Sequence, residues 1–201
     1  MVIGISAPRA SAALDKCICE KVGTMTSRYM DKHLTVGGDD PFLPVLLKAI
    51  NKADDIALAI AFIRSTGLNL IYQALEDALA RGTKVRILTG DYLEITEPKA
   101  LKLLMLLKER NASVKVYESK NTTSFHMKAF LFTQSDAEGF RSGCAFVGSS
   151  NITRAALVDG LEWNLKVEQQ EDSARFELIQ NEFETLFALP QCAELTHDWI
   201  G

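Results

Sequence analysis

An α/β fold, with a largely parallel sheet covered on both faces, is what this chain of 201 residues predicts. Three observations carry that reading. Continuous apolar runs of strand length, such as IALAIAFI at 56–63, suit strands buried on both sides. Amphipathic segments at helical spacing alternate with them, which implies crossover connections. The second half then changes to short strands joined by a polar, glycine-bearing loop, which reads as a hairpin.

Taken in order, residues 1–36 show no sustained period, and TVGGDDP at 35–41 marks a loop before the main fold. FLPVLLKAINKA at 42–53 carries apolar residues at helical spacing, and 56–63 is the first buried strand. TGLNLIYQALEDALAR at 66–81 is an amphipathic helix with Gly82 as its stop signal. KVRILTG at 84–90 is a strand. EPKALKLLMLLKER at 97–110 is a helix with proline near its start, where a missing N–H costs little. VKVYE at 114–118 is a third strand. KAFLFT at 128–133 and CAFVGS at 144–149 flank the hairpin loop QSDAEGFRSG. A short helix is expected near 152–157, an alternating strand at 161–168, and a long amphipathic helix over 172–190 ended by Pro190. The tail QCAELTHDWIG promises little structure. The expected organisation is therefore an extension at 1–36, one domain at 37–190, and a tail or linker at 191–201.

The totals bound the function. Net charge is −4, so a nucleic-acid partner would need a local basic patch. Cysteines 17, 19, 144 and 192 have no paired metal-ligand spacing, and reduced thiols are the expectation. No run approaches the roughly 18–20 apolar residues that span a bilayer. The start lacks a basic region followed by a continuous apolar core. The chain reads as cytosolic, with no metal or other cofactor.

Three polar clusters stand at strand ends. If 125–132 is extended, His126 and Lys128 share a face with Phe130 and Phe132, because alternate side chains point the same way. That pair is either an edge-strand solvent face with a structural histidine, or an imidazole and an ammonium aimed at one anion. Gly148-Ser149-Ser150-Asn151 offers hydroxyl and amide donors after a glycine that lets a ligand approach. Asn151 is equally an N-cap for ITRAAL, and the two readings are compatible. In LEWNLKVE, Leu161, Trp163, Leu165 and Val167 form an apolar face. Glu162, Asn164, Lys166 and Glu168 form a polar one that is ordinarily solvated, unless Glu162 accepts a hydrogen bond from the histidine and fixes its tautomer.

Together, His126-Met-Lys128, Gly148-Ser149-Ser150-Asn151 and Glu162 resemble the HKD signature of the phospholipase D superfamily. The resemblance implies an α/β/α sandwich with a mixed central sheet. It implies His126 as nucleophile, Lys128 and Asn151 holding phosphate oxygens with Ser149 assisting, and Glu162 orienting the histidine. The family's aspartate, five residues past the lysine, is Thr133 here; Asp136 is out of register. AIAFIRSTGLNLI, VRILTGDYLEITEPKALKLL, SFHMKAFLF, FVGSSNITRAAL and GLEWNLKV also look like the phospholipase D-like domain at the amino end of certain bacterial superfamily 2 helicases. No GxxxxGK[ST] motif occurs, so this chain is not itself the motor.

A single copy of the signature supplies one histidine, so the resemblance implies a homodimer sharing one active centre. The expected activity is metal-independent phosphodiester cleavage of nucleic acid, DNA first, through a phosphohistidine. Arg64, Lys120, Arg141 and Arg154 are the basic residues nearest the strand ends or hairpin, and so the candidates for gripping the backbone. The rival readings are a non-catalytic DNA-binding or dimerisation module and, behind it, a phospholipid enzyme.

Overall fold

The computed structural model describes residues 33–91, 96–119 and 124–199. Lys120 and nearly all of the expected extension at 1–36 lie outside the described residues.

The apolar run of the first half explains the layering. In β2 (Asp55–Ile60), Ile56, Leu58 and Ile60 face one core while Ala57 and Ala59 face another. The bulky face packs under three helices, α1 (Phe42–Lys52), α2 (Ser65–Ala80) and α3 (Pro98–Glu109). The alanine face leaves room for the aromatics of one helix, α4 (Ser173–Phe187), which inserts Phe176 and Phe183. Both faces are thus buried, as an unbroken apolar strand requires. Gly82 ends α2 with φ 86° and open space around it, the left-handed residue a helix stop favours.

The remaining strands are β1 (Leu34–Thr35), β3 (Lys84–Gly90), β4 (Ser113–Tyr117), β5 (Lys128–Ser135), β6 (Arg141–Gly148), β7 (Asn164–Glu168) and β8 (Cys192–Glu194). They form one eight-stranded sheet in the order β1-β7-β6-β5-β2-β3-β4-β8. The sheet is mixed: β2, β3 and β4 run parallel, and every other neighbouring pair is antiparallel. Parallel pairing is therefore confined to the part whose strands are separated by helices, a smaller share than the alternation suggested.

Five local expectations change. The strand expected over 56–63 stops at Ile60, because the next N–H groups leave the ladder. Ala61 N donates to the Met127 carbonyl, Phe62 N to Asn151 Oδ1 and Ile63 N to Thr96 Oγ1. The short helix near 152–157 is a single π-helical turn at Ala155–Asp159. The hairpin strands extend to Ser135 and from Arg141, so the turn is only 136–140, with Asp136 Oδ1 accepting from the N–H groups of Glu138 and Phe140. The tail is not structureless: β8 pairs with the outer edge of β4, and Leu195 is fully buried in the larger core. Structure likewise starts before residue 37, since Leu34 and Thr35 pair with β7.

Candidate active site

Strand register brings the polar clusters to one edge of the sheet. Thr35 pairs with Asn164, Asn164 with Gly148, Ala129 with Val147, and Lys128 with Ile60. One step beyond the Ala129–Val147 pair, Lys128 lies beside Gly148. A single row thus runs Ile60, Lys128, Gly148, Asn164, Thr35 across five strands. It stands at the carboxyl end of β2, where the parallel strands meet the antiparallel ones, the crevice position at which open α/β sheets bind ligands.

Lys128 opens β5 on the same face as Phe130 and Phe132, which lie in an aromatic cluster with Phe42 and Phe146. Only 8% of Lys128 is exposed. Burial pushes its ammonium below the usual lysine range, a shift that Glu162 partly opposes. Its Nζ lies 2.9 Å from His126 Nδ1 and donates to the His126 carbonyl at 2.9 Å. His126 precedes the strand and is exposed, so the polar pair is a buried ammonium reaching out to a solvent-facing imidazole. With Lys128 charged, Nδ1 is the acceptor and the ring proton sits on Nε2.

Gly148 has no side chain because none fits. A Cβ there would stand 2.7 Å from both Asn164 Cα and Asn164 Oδ1, and closer still to the Trp163 carbonyl. The loop after it is then held by cross-strand bonds: Ser149 N donates to Trp163 O at 2.9 Å, and Trp163 N donates to Ser149 Oγ at 3.1 Å. Ser149 Oγ in turn donates to Glu162 Oε2. Glu162 is thus held by Ser149, while His126 contacts Lys128. Asn151 does not cap the following turn, whose N-cap residue is Arg154. Instead Asn151 Oδ1 accepts from Phe62 N at 3.2 Å, which turns its NH₂ group away from that contact and leaves it as a donor.

The strand expected at 161–168 begins only at Asn164, and its site end departs from the expected faces while Val167 stays buried. Asn164, on the polar side, is 1% exposed, whereas Leu161 and Trp163 are 85% and 68% exposed. The reason is coverage: α4 buries Val167 and Ala145, but among the described residues no helix packs over the same face at the site edge. Sequence reasoning missed Asn164 as a site residue and counted Ser150 as a donor, though it is fully buried. The usable signal was an asparagine inside a strand, which sheets disfavour without a side-chain partner.

The basic candidates separate. Arg64 is the exposed N-cap residue of α2, and its N–H bonds to the Ile152 carbonyl beside Asn151. Arg154 follows the loop and pairs with Asp159 at 3.3 Å. Arg141 pairs with Ser135, seven residues along β5 from Lys128. At about 3.3 Å per residue that is roughly 23 Å from the site edge, at the far end of the hairpin.

Thr133 occupies the signature's aspartate position and is also remote, five residues or about 17 Å along β5. It faces Asp55 across the strand pair. Asp55 takes Arg86 at 2.9 Å, and Arg86 also donates to Glu184 at 2.5 Å and stacks on Phe183. A carboxylate is therefore present in this cluster, on the neighbouring strand. Among the described residues, no group of three or more histidine, cysteine, aspartate or glutamate side chains is placed to hold a metal ion.

A family model described as cardiolipin synthase, PLD-like domain, matches residues 46–187. The chain belongs to the phospholipase D-like family. No curated protein matches it by sequence. Among solved structures, NucT from Helicobacter pylori aligns with TM-score 0.57 and 20% identity, over 76% of this chain and 89% of that one. Polyphosphate kinase from Porphyromonas gingivalis aligns with TM-score 0.52 and 18% identity, over 74% of this chain but 24% of that one. At these identities the two share the fold. The match spans every strand from β2 to β7 and all three polar clusters.

Proposed function

We propose that the chain is a metal-independent phosphodiesterase acting on nucleic acid, DNA first, through a phosphohistidine formed where two copies meet. The observation that carries this reading is the 2.9 Å contact between Lys128 Nζ and His126 Nδ1, set in register beside the Gly148–Asn151 donors. A phosphate entering the site competes for the ammonium, and Ser149 and Asn151 add neutral donors. Drawing Lys128 off Nδ1 allows the ring proton to move there, which leaves the Nε2 lone pair for attack on phosphorus.

Attack forms a P–N bond and breaks a P–O bond. The leaving oxygen takes a proton from the imidazolium of the partner's His126, which then accepts a proton from the water that cleaves the P–N bond. The two rings need opposite protonation states, so activity falls on both sides of a pH optimum.

The surface we assign to the second copy is the uncovered apolar face beside Glu162. Val147 and Leu165 are register partners there, and Trp163 is next in the alternation. Such a patch at the edge of a site that needs a second histidine suits a twofold contact. Arg64 and Arg154 are proposed to grip the nucleic-acid backbone. Residues 37–190 are proposed as the catalytic domain, with a superfamily 2 helicase as its linked or associated partner.

The test is cleavage of labelled DNA, RNA and phospholipid, with and without EDTA, by wild type and His126→Ala, alongside solution mass. EDTA-resistant DNA cleavage by a dimer, lost in His126→Ala, supports the proposal. Binding without cleavage, loss in EDTA, a flat pH profile or a strictly monomeric active protein would each defeat it. Trp163→Glu is expected to give a monomer with no cleavage.

A further inference from the structure

We infer that Asn164 is a positioning residue, setting the phosphate-binding loop through Ser150; the inference rests on the functional reading above. Asn164 touches no substrate position, being 1% exposed, yet its amide joins three parts of the fold. Nδ2 donates to Ser150 Oγ at 2.9 Å and to Thr35 Oγ1 at 3.3 Å. Ser150 Oγ passes the chain on to the Ala156 carbonyl at 3.4 Å, in the π-helical turn. One side chain therefore ties β1, the loop after β6 and the turn beyond it.

Ser150 is fully buried and stands between the two donors, Ser149 and Asn151. Pinning the middle residue of a three-residue loop segment orients both flanking ones. Glycine at 148 belongs to the same device, because the asparagine amide fills the space its side chain would need. The cost of the arrangement is visible. Asn164 Oδ1 is buried with no hydrogen-bond partner among the described residues. An orphaned acceptor of this kind destabilises the fold, which a leucine of similar size would avoid. A leucine cannot donate twice. Aspartate matches the shape but has no N–H to give, and its charge would be buried. Two donors on a short rigid amide are what the position uses.

The experiment compares wild type, Asn164→Ala, Asn164→Asp, Ser150→Ala and the Asn164→Ala/Ser150→Ala double variant. Ser150→Ala guards against an Asn164 variant that fails to fold, since it removes only one oxygen. For folded variants, kcat is expected to fall about 10- to 100-fold, the effect of a loop misplaced by about an ångström, with KM changed less than about threefold. The double variant should be no worse than Asn164→Ala alone, because both act through one contact. Hydrogen exchange gives a readout that needs no activity: the Ser149 amide should exchange at least about tenfold faster in Asn164→Ala, while the Leu58 and Ile87 amides stay protected. Unchanged Ser149 exchange, or additive kcat losses, overturns the role of Asn164. A wild type that cleaves nothing defeats the functional reading instead, and exchange still decides whether Asn164 sets the loop.

Discussion

Replacing Gly148 by alanine adds a single methyl group at the junction of β6, β7 and the donor loop. That methyl would stand 2.7 Å from Asn164 Cα, against 3.4 Å for an ordinary contact. The strand must therefore retreat by 3.4 − 2.7 = 0.7 Å, and further for the Trp163 carbonyl. Overpacking against backbone, which has no rotamer to change, costs about 1–3 kcal/mol. For a domain of this size that lowers Tm by about 2–12 °C. The same movement pulls Trp163 O from Ser149 N and shifts the donors from Lys128, so cleavage should fall about 100-fold. Gly139→Ala is the control: it also meets a backbone constraint, φ 86°, but sits in open space at the far hairpin tip. It is expected to cost about 1–2 kcal/mol of left-handed strain with cleavage intact. Thermal denaturation and single-turnover cleavage of both variants decide the matter. A Gly148→Ala protein with wild-type melting and wild-type rate would refute the close-approach reasoning.

Three further outcomes follow from the same geometry. Lys128→Met removes a buried charge: folded Lys128 binds its proton more weakly than unfolded lysine, so stability rises with pH up to about 10.5 in wild type and loses that rise in the variant. The variant should melt no lower than wild type at pH 7 yet lose at least about 100-fold in cleavage; a clearly lower Tm counts against the burial argument. Thr133→Val deletes a buried hydroxyl with no partner among the described residues, so it should be neutral to about 1 kcal/mol stabilising and leave cleavage unchanged. Clear destabilisation there, in denaturant melts, would count against an unpartnered hydroxyl at Thr133. The Cys144 thiol, pushed up to about 11 by burial, is about 0.1% thiolate at pH 8. Peptide mapping after iodoacetamide should find this half-buried thiol labelled far more slowly in native protein than in denaturant, and rapid native labelling would contradict its raised pKa.

The sequence alone determined most elements of the sheet and proposed the composition of the site. Apolar runs, helix stops and turn residues are local signals, so β3 is where KVRILTG places it and α3 begins at its proline. His126, Lys128, Ser149, Asn151 and Glu162 were legible as a set because their spacing along the chain is itself a pattern. Tertiary structure decided what spacing cannot encode, namely which strands are neighbours and which faces are covered. Register across β5, β6 and β7 places Lys128 beside Gly148 and buries Asn164, and none of those residues is adjacent in the chain. α4 packs over Val167, while Leu165 and Trp163 toward the site edge stay exposed and Asn164 turns inward. The same register puts Asp55 opposite Thr133 and carries Arg141 to the far end of the hairpin. Side-chain alternation is a property of one strand, but burial belongs to the layers around it, and those exist only once the chain has folded.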